Sequence, residues 1–225
     1  MKRRLIQLNT LHKLYQEAWL GEGYVSIPPP ATVPVELPQN PGELGASITA
    51  CHLCHLAKRR KQAAIGQGAY GGLMVVIDAP PAAQNERGSP FEGKSGVLLH
   101  RMISGGLGLD PASVYVTSLV KCHPYGQLPD AALEACTPFL AVELELVAPR
   151  AVLALGAQAF WRLSGMREPM ERARGRAWPI TLAPGVKAPL FASYSPAYLS
   201  LNPSFKRSAM ADLKLVLEVL SKDGR

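Results

Sequence analysis

Residues 73–78 read LMVVID, five apolar residues in an unbroken run closed by an aspartate. A run this short has the length of a strand rather than a helix, and a strand apolar on both faces belongs inside a sheet covered on both sides. Runs of the same kind follow downstream: VYVTSL at 114–119, AVLALG at 151–156 and LFASY at 190–194. Helical stretches lie between them: GKSGVLLHRMISGG from Gly93, a segment marked by Leu133, Cys136, Leu140, Leu144 and Val147, and QAFWRLSG from Gln158. A last helix covers about 204–221. Strands alternating with helices imply right-handed crossovers and a mostly parallel sheet, with functional loops gathered at the carboxyl ends of the strands. Pro138 predicts either a kink in the third helical stretch or a helix that starts there.

Outside this region the pattern changes. Residues 5–19 have the spacing of a short amphipathic helix, and residues 28–41 hold six prolines, which makes an extended tether. The chain therefore divides into an N-terminal helix and linker over 1–43 and a main domain over 44–225. With 48% hydrophobic and 18% charged residues in 225, it is a folded globular chain, and its net charge of +7 favours an anionic partner, nucleic acid first. MKRR is followed by LIQLNTLHKLYQEAW, which lacks the apolar run of an export signal, and no segment has the length of a membrane span. The reading is a soluble, cytoplasmic protein without membrane contact. The sequence assigns no protein partner to the N-terminal helix.

In a reducing compartment four cysteines are ligands or inert core groups rather than disulfides. Cys51 and Cys54 form a C-x2-C pair; 67 residues separate Cys54 from Cys122, and 13 separate Cys122 from Cys136. A zinc ribbon brings its second pair within about 20 residues, and the loop-like NPGELGASITA before Cys51 does not suit a thioredoxin-like redox pair. Thiolates drawn from three segments suit a cuboidal iron-sulfur cluster. The same residues also read as buried thiols plus an exposed pair. His52 and His55 read best as surface residues.

The residues between the cysteines narrow the choice. The order C-x2-C, DAPPAAQNERGSPFEGKSGVLL, VTSLVKCHP, ACTPFL, APRAVLALGAQA, SYSPAYL resembles the iron-sulfur uracil-DNA glycosylases, family 4 of that superfamily, from about residue 48 to 220. The resemblance implies a three-layer α/β/α domain with a central four-stranded parallel sheet. It also implies a [4Fe-4S] cluster on Cys51, Cys54, Cys122 and Cys136, and DNA as the ligand.

It further implies roles for single residues. A glycosylase must extrude its nucleotide from the stack and hold the base against an aromatic face; Phe91 matches that stacking position. Bond cleavage builds positive charge on the sugar and negative charge on the base, so a carboxylate below the sugar and donors at the base oxygens lower the barrier. Asp78 matches the carboxylate that positions water or steadies the sugar, and Ser195 stands where the family carries the donor to the departing base. Candidates for phosphate contact are the 58–61 run, Lys94 with Ser95, and Lys206 with Arg207, while Tyr198 or Leu199 would wedge into the stack.

The chain departs from the family pattern at its base-reading positions. Ser118 replaces the Asn whose amide reads uracil, Ser195-Pro196-Ala197 replaces His-Pro-Ser, and Ile77 and Pro81 replace glycines of the first motif. No histidine follows His123. Loss of one preorganised donor costs on the order of 100-fold to 1,000-fold in rate. The expectation is a repair glycosylase acting on uracil or a related damaged base. Its rival is a catalytically degenerate iron-sulfur protein that binds DNA as a repair accessory. A cluster-based redox sensor leaves PFEGKSG unexplained.

Overall fold

The computed structural model describes residue 38 and residues 40–183 and 186–222. The helix expected over 5–19 and the tether before residue 38 lie outside the described residues. Pro41, Gly42 and Glu43, expected in the linker, and the rest of the stretch read as loop-like before Cys51 instead form helix α1 (Pro41–Ala50). Pro41 sits at the first helical position, where its missing N–H is no loss, and Asn40 Oδ1 accepts the Glu43 N–H at 2.9 Å.

The four expected strands are present as β1 (Leu73–Ile77), β2 (Tyr115–Ser118), β3 (Ala151–Leu155) and β5 (Val186–Ser193), all mutually parallel where they pair. The sheet nevertheless has five strands, not four: β4 (Trp178–Ala183) pairs antiparallel with β5, giving the order β2-β1-β3-β5-β4. WPITLA does not read as a strand because it carries Pro179. A proline is tolerated at a sheet edge, which is where β4 lies.

Both faces are covered by helices, and the short helices α2 (Ala82–Arg87) and α6 (Met170–Ala173) lie in the connections. Met74, Val76, Val152 and Ala154 point to one side, against Leu133, Leu140 and Leu144 of α4 (Asp130–Val147) and Phe160 of α5 (Ala157–Ser164). Leu73, Val75, Leu153 and Leu155 point to the other. There they meet Leu99 of α3 (Gly93–Arg101), Ile103 in the π-helical turn that continues it, and Leu213 and Val216 of the last helix (Lys206–Lys222). Alternate side chains facing two apolar layers explain why β1 and β3 read as continuous apolar runs. Helix α4 passes unbroken through Pro138, so the proline marks no helix start. No helix among the described residues is long and apolar enough to cross a membrane.

The register sets the position of the loops. Ile77 pairs with both Ser118 and Leu155, and Leu155 pairs with Ser193, so all four parallel strands end at one level. From β1 the chain crosses to β2 on one side and then returns to β3 on the other. The loop after β1 therefore opens at a topological switch point, where α/β sheets bind ligands.

A buried ion pair ties β2 to α4. Lys121 Nζ lies 2.6 Å from Glu143 Oε2, 2.7 Å from Thr117 Oγ1 and 2.9 Å from the Ser118 carbonyl, and the two charged side chains are 2% and 1% exposed. Removing one partner strands the other charge in a low-dielectric interior. Glu143→Ala should therefore lower the unfolding free energy by about 3–5 kcal/mol, measured by urea denaturation of the intact protein; a loss below about 1 kcal/mol would show that the pair is not sealed from water.

Candidate active site

A cavity of about 270 Å3 opens at the carboxyl ends of β1 and β5, with Asp78, Ser95, His123, Ser195 and Ala197 among its walls. Asp78 follows β1 directly and reaches across to the start of α5. There Ala159 N–H donates to its Oδ1 at 2.7 Å. The N-cap position of α5 is Gly156, which has no side chain to cap the helix, so Asp78 serves as the cap from another segment. Gly156 has φ +128, and any Cβ there would collide with the Asp78 carboxylate. Burial raises the Asp78 pKa to about 6, with the Ala159 N–H pulling the other way.

Ser195 follows β5 as the N-cap of α7 (Pro196–Leu201), and its Oγ accepts the Tyr198 N–H at 3.2 Å. The acceptor side of the hydroxyl is thus used for the cap, and its proton remains for donation. Ser95 is half-buried on the first turn of α3, next to exposed Lys94. The loop before α3 packs against Gly96 so closely that a Cβ there would strike the Phe91 backbone. Pro90 from this loop lines the cavity. The Phe91 ring packs edge-on against His100, with centroids 5.6 Å apart, and against the apolar layer below.

Asp78, Ser95 and Ser195 are thus brought together on one cavity, whereas neither Phe91 nor Ser118 is among its lining residues. Ser118 is 2% exposed and its Oγ donates to the Val120 carbonyl at 2.7 Å, so it does not line the cavity. His123 is the wall residue that the sequence reading passed over. It was visible as the last histidine of the chain, but nothing local places the loop after β2 against the loop after β1.

The rim also differs from expectation. SPAYLSLNPS reads as a loop, but Pro196–Leu201 is helical, and the helical turn sends Leu199 into the core at 1% exposure. Leu199 therefore cannot act as a wedge in this arrangement. Tyr198 stays at the surface, stacked on Tyr194 with centroids 5.2 Å apart, and Leu201 is 83% exposed. Lys206 and Arg207 are exposed at the start of the last helix, α8. Three of the four cations at 58–61 are engaged elsewhere: Arg59 covers the Tyr125 ring at 4.7 Å, Lys61 pairs with Glu86 at 2.6 Å, and Arg60 Nη1 approaches Cys122 Sγ at 3.4 Å while Nη2 donates to the Thr49 carbonyl. Arg174 is likewise structural, 3.0 Å from Asp212 Oδ2, which also accepts from Ser193 Oγ at 2.6 Å.

The four cysteines converge from α1's end, the loop after β2 and helix α4. Cys122 and Cys136 are buried, Cys54 packs against them, and Cys51 is half-buried at the end of α1. Burial chiefly pushes the Cys122 thiol up, and the neighbouring Cys54 and Cys51 add to this against the opposing pull of Arg60. Burial pushes Cys136 up to about 11, with the Lys121 N–H opposing and Cys54 and Cys122 adding. No three His, Cys, Asp or Glu side chains among the described residues could hold one metal ion. A cuboidal cluster attaches one thiolate to each of four irons and so takes ligands set wider apart. Cys122 neighbours Cys54 and Cys51, and Cys136 neighbours Cys54 and Cys122, with Arg60 and the Lys121 backbone N–H directed at sulfur; a donor set of this kind fits that group.

Comparison with known proteins gives one family. The model of the uracil DNA glycosylase superfamily matches residues 68–214. A type-4 uracil-DNA glycosylase of Pyrobaculum aerophilum is 35% identical over 175 residues, 75% of this chain and 88% of that protein. One from Saccharolobus solfataricus is 32% identical over 181 residues, covering 77% and 83%. A type-5 uracil-DNA glycosylase of Pyrobaculum aerophilum is 33% identical over 151 residues, covering 60% and 66%.

The raised pKa of Asp78 has a stability consequence. Between the unfolded value near 3.8 and the folded value of about 6, the folded protein binds more protons than the unfolded chain, so this group's contribution falls as pH rises through that window. Asp78→Asn keeps an acceptor for Ala159 and removes the charge. It should match wild type near pH 4 and exceed it by roughly 1–3 kcal/mol above pH 7; equal stability at pH 8 in denaturant titrations would refute this.

Proposed function

The chain belongs to the uracil-DNA glycosylase superfamily, and from that membership we propose that it extrudes uracil, or a related damaged base, from DNA and hydrolyses its N-glycosidic bond. The observation that carries this reading is the meeting, on one cavity, of a half-buried carboxylate just after β1 and a hydroxyl donor just after β5. As the bond breaks, Asp78 opposes the positive charge growing on the sugar and holds the attacking water. The Ser195 O–H donates to the base oxygen that gains negative charge. Phe91 supports the base from the loop before α3. Lys94, Ser95, Lys206 and Arg207 meet phosphates, and exposed Tyr198 stacks at the rim.

Cys51, Cys54, Cys122 and Cys136 are the residues that would hold a [4Fe-4S] cluster, which when bound supplies iron-sulfur bonds that join three distant segments. The reducing cytoplasm keeps those thiols available to iron. One observation favours a second reading, a degenerate iron-sulfur protein that binds DNA without excising a base: the Ser118 hydroxyl is committed to Val120.

Anaerobically purified protein incubated with an oligonucleotide carrying one uracil, then treated with alkali, should yield strand scission that Asp78→Asn abolishes. Because Asp78 must be ionised, kcat/KM should fall below about pH 6 and level off above it. DNA binding without scission would select the second reading. Cys122→Ser should lose the visible absorbance of the cluster and melt earlier; a fully coloured, equally stable variant would remove Cys122 from the ligand set.

A further inference from the structure

His123 lies on the wall of the Asp78 cavity, one residue beyond Cys122 in the loop that follows β2. Its Nδ1 is 2.8 Å from the Pro80 carbonyl oxygen. A carbonyl can only accept, so Nδ1 carries a proton, and in that tautomer it is Nε2 whose lone pair is left for a ligand. The ring is held on its other side as well. Tyr125 meets it edge-on with centroids 4.6 Å apart, and Tyr125 is itself fixed: its hydroxyl donates to the Arg59 carbonyl at 3.0 Å and accepts from Asn85 Nδ2 at 3.0 Å. Asn85 is 2% exposed and also accepts the Lys61 N–H at 3.0 Å. The Arg59 guanidinium covers the Tyr125 ring at 4.7 Å. A chain of buried and stacked groups thus orients one imidazole that no core contact requires.

We infer that His123 Nε2 accepts a hydrogen bond from the ring N–H of the extruded base, beside a Ser195 hydroxyl that donates to an adjoining carbonyl. The inference rests on the glycosylase reading and specifies its substrate class: a pyrimidine with an intact imide edge, O=C–N–H. Uracil has that edge. Cytosine, from which uracil arises by deamination, presents a bare ring nitrogen at the same place, and two lone pairs would then face each other. This assigns to His123 the acceptor role that the committed Ser118 hydroxyl does not fill. At about 270 Å3 the cavity lies just under the usual range of ligand pockets, about 300–1,000 Å3, which suits a single pyrimidine and little more.

The test uses His123→Asn and His123→Gln in the full chain. An Asn amide occupies the place of Nδ1 and keeps a donor for Pro80, but leaves nothing where Nε2 stood. A Gln amide oxygen reaches that place. Single-turnover excision of uracil and saturation-transfer NMR with free uracil against 3-methyluracil, whose imide N3–H is blocked, are read together with Tm. Wild type should favour uracil over 3-methyluracil. His123→Asn should lose that preference and at least about tenfold in excision at unchanged Tm, and His123→Gln should recover most of both. Unchanged excision and preference in His123→Asn would overturn the inference, as would absence of any preference in wild type. A wild type that excises nothing yet prefers free uracil through His123 would overturn the glycosylase reading and leave this one standing.

Discussion

Asp78 is held in place by a residue with no side chain. Gly156 follows β3 at the level where β1 ends, and its bare Cα leaves the space that the Asp78 carboxylate fills on its way to the Ala159 N–H. The contact does two things at once. It supplies the missing cap of α5, and it fixes a carboxylate at the mouth of the sheet with one strong donor and little water. The parallel register makes this possible, because it brings the ends of β1, β3 and β5 to one level and so gathers Asp78, Gly156 and Ser195 from segments far apart in the chain. A carboxylate kept charged in such a place destabilises the fold at neutral pH, a cost commonly seen where a group is positioned for chemistry rather than stability.

The cysteine region is joined to the sheet by the Lys121–Glu143 pair. Lys121 reaches Thr117 and the Ser118 carbonyl on β2 and Glu143 on α4, while its own backbone N–H is directed at Cys136. The residue that precedes Cys122 thus also sets the distance between the strand loop and the helix that carries Cys136. A buried pair of this kind adds little net stability against an apolar substitute, but it tolerates few alternative arrangements. The same loop continues into His123, so the thiol region and the cavity wall share one short stretch of backbone. Arg59 and Arg60, adjacent in sequence, divide between them, Arg59 covering Tyr125 and Arg60 approaching Cys122.

Much of the fold is legible in the sequence because its signals are local. Continuous apolar runs at 73–77 and 151–155 mark strands covered on both faces, and Asp78 is conspicuous as the charge that ends the first of them. β4 was not legible: Pro179 contradicts strand propensity, and only pairing with β5 at an edge makes the segment a strand. Leu199 shows the same limit on a smaller scale. Whether it wedges outward or packs inward depends on whether six residues after Ser195 turn as a helix, and a six-residue helix owes its existence to the layer it packs on.

By itself, the sequence determined the α/β alternation, the mostly parallel sheet, a cysteine spacing that weighs against a compact zinc ribbon, and the set of residue types from which a site could be built. Periodicity and spacing carry these because each depends on neighbours within one element. The tertiary structure decided which of those residues meet: Asp78 with Ser195 on one cavity, His123 on its wall, Ser118 turned inward and Leu199 in the core. Those outcomes depend on strand order and register, which join residues more than 30 positions apart through hydrogen bonds and packing that leave no trace in any one stretch of the chain.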